Sequence, residues 1–408
     1  MKVAVIGAGA AGLMAAYAAA CMGNEVTVYE KNEKCGKKIY ITGKGRCNIT
    51  NQISPADFLN NVVNNSKFLT SAVYSFTPED TINFFKDGGL PIKIERGSRV
   101  FPVSDKASDV TKCLENYCRQ AGVDIKLNTI IDKIDVLDST ISGIVVNKSH
   151  IPCDKVIVCT GGLSYPSTGS TGDGYKFAES VGHKIIPAKA GLCGLNIKGD
   201  YYKQLQGLTL KNVELSSYYD GKLIKSLFGE MLFTHFGISG PIVLSTSSLI
   251  NRLDLKKVKL YLDLKPALSL EVLDKRLLRD FEENSNKSIE NCLKSLLPNA
   301  LIPVVLERAQ ISSDKKVNII SKAERARLLT TLKKFDIIVS SLRDFSESII
   351  TSGGVCVNEI NPKTMESKLV KGLYFCGEVL DVDAFTGGFN LQIAFSTGFA
   401  AGNSIKNY

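Results

Sequence analysis

The sequence predicts an α/β chain in which a parallel-sheet domain, assembled from both ends of the polypeptide, is split by an insert of different texture. Three observations predict it: a strand, glycine turn and helix at the start, a strand and glycine-opened helix near the end, and alternating then helical periodicity between them. At 408 residues the chain has room for two or three domains, and 44% hydrophobic with 22% charged residues is an ordinary globular composition. Disordered, collagen-like and coiled-coil classes are excluded. Lys and Arg number 50 against 41 Asp and Glu, and this net +9 reads as spread along the chain, so no polybasic arm for nucleic acid or membrane is expected. Eleven cysteines without a CxxC pair, and only three histidines, predict a reducing cytoplasm and no metal site.

Residues 3–23 carry no charge and could be mistaken for a membrane span, but Gly7, Gly9 and Gly12 punctuate the run after five strand-like residues. Lys2 to Ile6 suits a strand buried on both faces, Ala10 to Met22 a small-residue helix, and Glu25 to Tyr29 a second strand. Residues 32–54 read as an extended loop, and ordered loops of that length are usually functional. Thr77-Pro78-Glu79-Asp80 is a helix start, with a capping hydroxyl, proline in the first turn and acids against the dipole. An amphipathic helix over 105–121 follows, then strands near 123–127, 130–137 and 141–147. Val156 to Cys159 is a buried strand running into Gly161-Gly162.

From about 190 apolar and polar residues alternate, with Asp220-Gly221 as a two-residue hairpin turn. Residues 269–335 turn helical, with Ser269 as N-cap. Gly372 to Cys376 is a strand again, and Phe389 to Ser404 a helix opened by Gly387-Gly388.

Gly7-Ala8-Gly9-Ala10-Ala11-Gly12 sits between a strand and a helix, with Glu30 closing the next strand, which is the Rossmann-like context for a dinucleotide. Gly7 permits the tight turn, Gly9 lets a pyrophosphate approach the backbone, and Gly12 lets helix and strand pack closely. Glu30 can accept both hydroxyls of an adenosine ribose. This unit does not separate NAD from FAD, but two further segments do. Residues 36–51 (GKKIYITGKGRCNITN) place Lys37, Lys38, Gly45 and Arg46 where a flavin arm would run, with few acids nearby. Residues 373–402 return a strand, Glu378 and a helix whose start, at Gly388, Phe389 and Asn390, can bring amides to a flavin's pyrimidine edge. Gly161 joins the cofactor-binding candidates.

GKKIYITGKGRCNITN, RVFPVSDKASDV, VCTGGLSYPSTGSTGDGY, LFTHFGISGP and CGEVLDVDAFTGGFNLQIAFSTG together resemble the bacterial YhiN-like family of NAD(P)/FAD-dependent oxidoreductases. That family includes BaiN-type bile-acid enoyl flavin reductases and aminoacetone oxidases, and the likeness runs from Met1 to the C-terminal helix. It implies a split Rossmann-like FAD-binding domain (1–190 and 351–408), an inserted β-barrel-like domain (191–268 and 336–350) and a small helical domain (269–335). It also implies non-covalent FAD touched by Ala11, Glu30, Lys37, Lys38, Gly45, Arg46, Asn48, Ile131, Glu378, Asn390 and Ile393, with Ile131 acting through its backbone near the adenine.

The expected reaction takes hydride from transient NADH or NADPH through flavin N5 to an unsaturated small-molecule acceptor. Arg46, Arg99, Tyr165 and His235 are candidates for polarising its carbonyl or donating a proton. An oxygen-dependent amine oxidase is the enzymatic alternative. An RNA-binding or RNA-modifying flavoprotein ranks lower, because its only support is the +9 charge, and an idle FAD-binding module is a further possibility. Cys113 and Cys118 read as buried structural thiols in a helix, and Cys47 as a small residue in a tight place. His150 is expected in a polar turn and His183 after a helix end, where a cation suits the dipole. The substrate and the oligomeric state are left open.

Overall fold

The computed structural model describes residues 1–406; Asn407 and Tyr408, which the sequence assigned to the FAD-binding domain, lie outside the described residues. The chain divides into two compact units, Met1–Gly191 with Asp344–Tyr408, and Leu192–Arg343. The return to the first unit thus comes at Asp344, earlier than the expected 351. Ser348 explains the shift, since its Oγ accepts the Gly191 N–H at 3.0 Å and donates to the Gly191 carbonyl at 2.7 Å, sewing residues 344–350 to the first unit.

The first unit is built on a parallel five-stranded sheet in the order Leu373–Phe375, Lys155–Val158, Lys2–Ile6, Glu25–Tyr29, Asp124–Lys126. The opening strand is central and its Val3, Val5 and Ile6 are buried, as a continuously apolar run in a covered parallel sheet should be. The helix Ala10–Cys21 crosses to the second strand, and its alanines let the C-terminal helix Phe389–Ser404 lie close upon it. The far end of that contact is fastened by Asn24, whose Nδ2 donates to the Ile405 carbonyl at 2.6 Å. Thr77 and Asp80 form the reciprocal cap of the helix Pro78–Asp87. The meander Ile131–Leu137, Thr140–Val146, Ser149–Pro152 contains His150 within its last strand, Nδ1 2.8 Å from Asp135 Oδ2, not in the turn expected for it.

The second unit carries a seven-stranded antiparallel sheet whose longest members, Thr209–Tyr219 and Lys222–Thr234, meet at Asp220-Gly221 (φ 47° and 78°), the turn the sequence marked. Its two edge strands, Phe335–Ile337 and Val339–Leu342, are separated by Ile338 alone, so the sheet curls until its edges meet in sequence. The helices of 269–335 do not stand apart as a third body. Leu273, Leu277, Val305, Leu328 and Leu332 share one apolar core with Leu260, Leu262 and Phe335 of the sheet.

The charge is not spread as the sequence reading expected. Leu192–Arg343 has 24 Lys and Arg against 16 Asp and Glu, while the other unit has 26 against 25. Nearly all of the excess sits in the insert. Among the described residues, no helix is long and apolar enough to cross a membrane, and no group of three or more His, Cys, Asp or Glu could hold a metal ion.

Candidate functional site

The glycine turn has distinct requirements at each position. Gly7 has φ 102° and donates its N–H to the Tyr29 carbonyl at 2.8 Å. A Cβ at Gly12 would stand 1.8 Å from the Gly7 carbonyl oxygen, so only hydrogen fits between helix and turn. At Gly9 the same construction meets no atom within 4 Å. Gly9 is the N-cap of Ala10–Cys21, so the open space lies at a helix start, where unpaired first-turn N–H groups and the dipole favour an anion.

Glu30 is buried and fixed. Its Oε2 accepts the Ala8 N–H at 2.8 Å, and its Oε1 accepts Asn32 N–H at 2.9 Å and Asn32 Nδ2 at 2.6 Å. The segment leading to Ile131 runs beside it, because Thr129 N–H donates to the Glu30 carbonyl at 2.9 Å and Asn128 N–H to the Asn32 carbonyl at 3.0 Å.

The basic loop is less extended than its composition suggested. Ile39–Gly45 is an interrupted 3-10 stretch with Gly43 and Lys44 both left-handed, and Thr50–Asn51 pairs with the strand Arg99–Pro102. The acids missing locally arrive from elsewhere in the chain. Lys38 Nζ donates to Glu378 Oε2 at 2.6 Å and to Ser164 Oγ at 2.5 Å, and Ser164 Oγ donates to Glu378 Oε1 at 2.8 Å. Thr351 completes the knot. Its N–H donates to Glu378 Oε1 at 2.7 Å, and its hydroxyl accepts the N–H groups of Leu163 and Ser164 at 2.7 and 3.0 Å. Lys37 reaches Glu33 at 3.1 Å.

The start of the C-terminal helix lies against the same loop. A Cβ at Gly388 (φ 95°) would be 2.5 Å from the Thr50 carbonyl oxygen, Asn51 Nδ2 donates to the Gly387 carbonyl at 3.1 Å, and Thr50 Oγ1 donates to Gln392 Oε1 at 2.6 Å. The Asn390 side chain is engaged by the Ala384 and Phe385 backbone, so its helix-start N–H is what it can offer a ligand. Ile393 and Ala11 are buried near it in the helix pair, and Gly161 (φ 72°) faces Ser170 Oγ. Asn48 Oδ1 and Thr160 Oγ1 are buried without a protein hydrogen-bond partner among the described residues. An open helix start, a fixed acid, a basic loop knotted to Glu378 and two buried acceptors without partners fit a dinucleotide carrying a flavin.

The four catalytic candidates fare unequally. Arg46 lies 4.3 Å over the Phe101 ring, but it is ion-paired with Glu95 and Asp105, and Lys93 joins Asp105 at 2.6 Å. Arg46 holds the Glu95 carboxyl below its ordinary range, and Lys93 then Arg46 do the same for Asp105. A guanidinium so satisfied is a loop clamp rather than a group free to polarise a carbonyl. Arg99 approaches the same ring at 5.8 Å and is exposed. Tyr165 is half-buried with φ 51° and donates its N–H to the Phe345 carbonyl at 3.1 Å. His235 is exposed, stacks edge-on to Phe236 at 5.1 Å, and belongs to the other unit.

Sequence reasoning missed Ser164, Thr351, Glu95 and Asp105. The first lies within GGLSYPST, a segment legible only as a motif; Glu95 and Thr351 lie in strands, and Asp105 in the turn after Arg99–Pro102, all distant in sequence from the basic loop.

The profile of the HI0933-like protein Rossmann domain matches residues 1–404. The chain belongs to the HI0933-like family. This HI0933-like protein is 30% identical over 409 residues to the 3-dehydro-bile acid delta(4,6)-reductase of Clostridium scindens, covering 99% of this chain and 98% of that one. It is 32% identical over 407 residues to the ribosomal RNA dihydrouridine synthase of Haemophilus influenzae, covering 98% of each. Among solved structures it resembles the 3-ketosteroid-delta4-(5alpha)-dehydrogenase of Rhodococcus jostii RHA1, with TM-score 0.52 and 14% identity over 98% of this chain and 97% of that one. At that identity the likeness speaks of the fold alone. The HI0933-like chain is accordingly a member of a family of FAD-dependent oxidoreductases with a Rossmann-type FAD-binding domain.

Proposed function

We propose that this chain is a flavin-dependent reductase of carbon–carbon double bonds conjugated to a carbonyl, with NADH or NADPH as the transient reductant. The observation that carries this reading is the chemistry shared by its full-length relatives. One is named for reducing the delta(4,6) bonds of a 3-dehydro-bile acid, the other for making dihydrouridine, and uracil also holds its double bond conjugated to a carbonyl. FAD, when bound, supplies hydride transfer in both directions.

The chain's own residues would hold it. Gly9 and the helix start behind it face the diphosphate, Glu30 accepts from the ribose, and Lys38 and Glu378 orient the arm between. The amides after Gly388 present fixed donors to a developing negative charge. With Arg46 clamped by Glu95 and Asp105, Arg99 and Tyr165 are the better candidates in this unit for binding a carbonyl or supplying a proton.

A second reading keeps the reaction and changes the substrate to a uracil base within ribosomal RNA, favoured by the name shared by the Haemophilus influenzae and Escherichia coli relatives. Anaerobic stopped-flow with the FAD-loaded protein tests the reading. NADH or NADPH should bleach the visible flavin band, and a 4-en-3-one steroid or a uridine-containing RNA should restore it. If neither nicotinamide bleaches the band while small amines drive oxygen uptake, the reductase reading fails.

A further inference from the structure

We propose that the outward face of the antiparallel sheet in Leu192–Arg343 is the contact face of a two-fold symmetric dimer of this chain. The period of the strands decides which side chains stand there. In Thr209–Tyr219, Val213, Leu215 and Ser217 are buried, and Glu214, Ser216 and Tyr218 alternate with them on the other face. The register carries that face onto both neighbouring strands. Phe228, Ser226 and Leu223 stand opposite Glu214, Ser216 and Tyr218, an irregularity between Ser217 and Tyr218 absorbing the odd spacing. On the other side Asp263, Tyr261 and Lys259 of the strand Val258–Asp263 stand opposite the same three. Tyr218 and Tyr261 meet on this face with ring centroids 5.6 Å apart, and Leu223 and Phe228 flank them, 56% and 62% exposed. Large aromatic and aliphatic groups gathered in the open mark a surface that a partner covers.

The face is complementary to itself, and this selects a second copy as the partner. Ser226, Ser216 and Tyr261 form a row across the strands, and each strand carries matching groups about 7 Å to either side of it. A two-fold axis laid along that row, in the plane of contact, turns one side of each strand onto the other side of the same strand in the second copy. Leu223 of one copy then meets Phe228 of the other, the Tyr218 hydroxyl meets the Glu214 carboxylate, and Lys259 meets Asp263. The charges balance as well. Glu214 and Asp263 lie on one side of the row, and Lys333, 2.5 Å from Asp263, offsets one of them, so one net negative charge faces Lys259. Asp336, paired with Tyr261, extends the axis row and is answered within its own chain by Arg308 at 2.7 Å. The two sheets would stack with their strands aligned, as in a sandwich, and an interface of this symmetry closes at two copies. The inference does not depend on the reaction proposed above.

Sedimentation velocity of the FAD-loaded protein over a wide concentration range tests this. It should show monomer and dimer in exchange and no larger species. Glu214→Lys and Lys259→Glu each set like charges against one another at both symmetry-related places, and each should weaken dimerisation at least about a hundredfold. Mixing the two variants should restore a dimer, because in the mixed pair reversed charge faces reversed charge and native faces native. Both reversals in one chain should restore it for the same reason. The flavin spectrum and melting temperature report folding, and recovery in the mixture shows that both variants keep the face intact. A protein that stays monomeric at every concentration overturns the inference and gives the face to a partner of another kind. A dimer indifferent to both reversals, an open-ended assembly, or reversals that mixing fails to rescue overturns it equally, and each leaves the proposed reaction untouched.

Discussion

Gly398 faces the Ala11 carbonyl so closely that a Cβ at 398 would stand 2.4 Å from its oxygen, and one turn on, a Cβ at Gly402 would stand 2.3 Å from the Ala15 carbonyl oxygen. Two helices from opposite ends of the sequence are therefore in backbone contact, which is what brings Glu378 and the amides after Gly388 to the opening turn. Gly398→Ala must force them apart, at a cost of about 1–3 kcal/mol. The melting temperature should fall and the flavin content of the purified protein with it.

Glu378 accepts from Lys38, Ser164 and the Thr351 N–H at once. Its removal as Glu378→Ala leaves a partly buried ammonium and a buried N–H without their acceptor, costing about 1–3 kcal/mol. Chemical denaturation should show that loss, and flavin should dissociate more readily than from the native protein.

His183 is buried, with Nδ1 3.0 Å from Glu359 Oε2 and Nε2 2.8 Å from Ser367 Oγ. The helix-end position suggested a cation, but burial outweighs the neighbouring Glu359 carboxylate and pushes the imidazole below its ordinary 6.5. The folded state keeps the ring neutral while the unfolded chain takes a proton. The native state therefore has its full stability above pH 6.5 and loses it as pH falls below, by up to about 1.4 kcal/mol per pH unit. Melting curves between pH 7.5 and 5 should show this slope in the native protein and a shallower one in His183→Asn.

Burial pushes the Cys113 thiol up to about 11, and those of Cys35, Cys47 and Cys118 up to about 12, while Cys21 is exposed. Titration of the native protein with a thiol reagent at pH 8 should modify Cys21 first and leave these four until denaturant is added. Rapid reaction of Cys113 together with Cys118 would revive a redox dithiol.

Much of this architecture was legible in local pattern. The opening strand, the Ala-rich helix, the Thr77 cap, the Asp220-Gly221 hairpin and the helix beginning at Phe389 all follow from periods and turn residues that act within a few positions. What escaped depends on distance along the chain. Nothing near Arg46 signals that Glu95 and Asp105 will clamp it, since the pairing comes from the hairpin of Ile92–Glu95 with Arg99–Pro102. Nothing in the composition around residue 270 says that its helices will share a core with Leu260 and Phe335, and a whole-chain charge of +9 hides its concentration in the insert.

The proposed function rests the diphosphate in the space beside Gly9, and flavin affinity of Gly9→Val against the native protein tests that most directly. Gly9 has φ −84°, and its Cβ direction is open to 4 Å. The substitution should therefore leave the flavin-free melting temperature nearly unchanged, while FAD binding, read by fluorescence quenching, weakens at least about tenfold because a side chain now stands where backbone must approach the diphosphate. Native affinity for FAD in Gly9→Val would contradict the assignment of this turn to the cofactor.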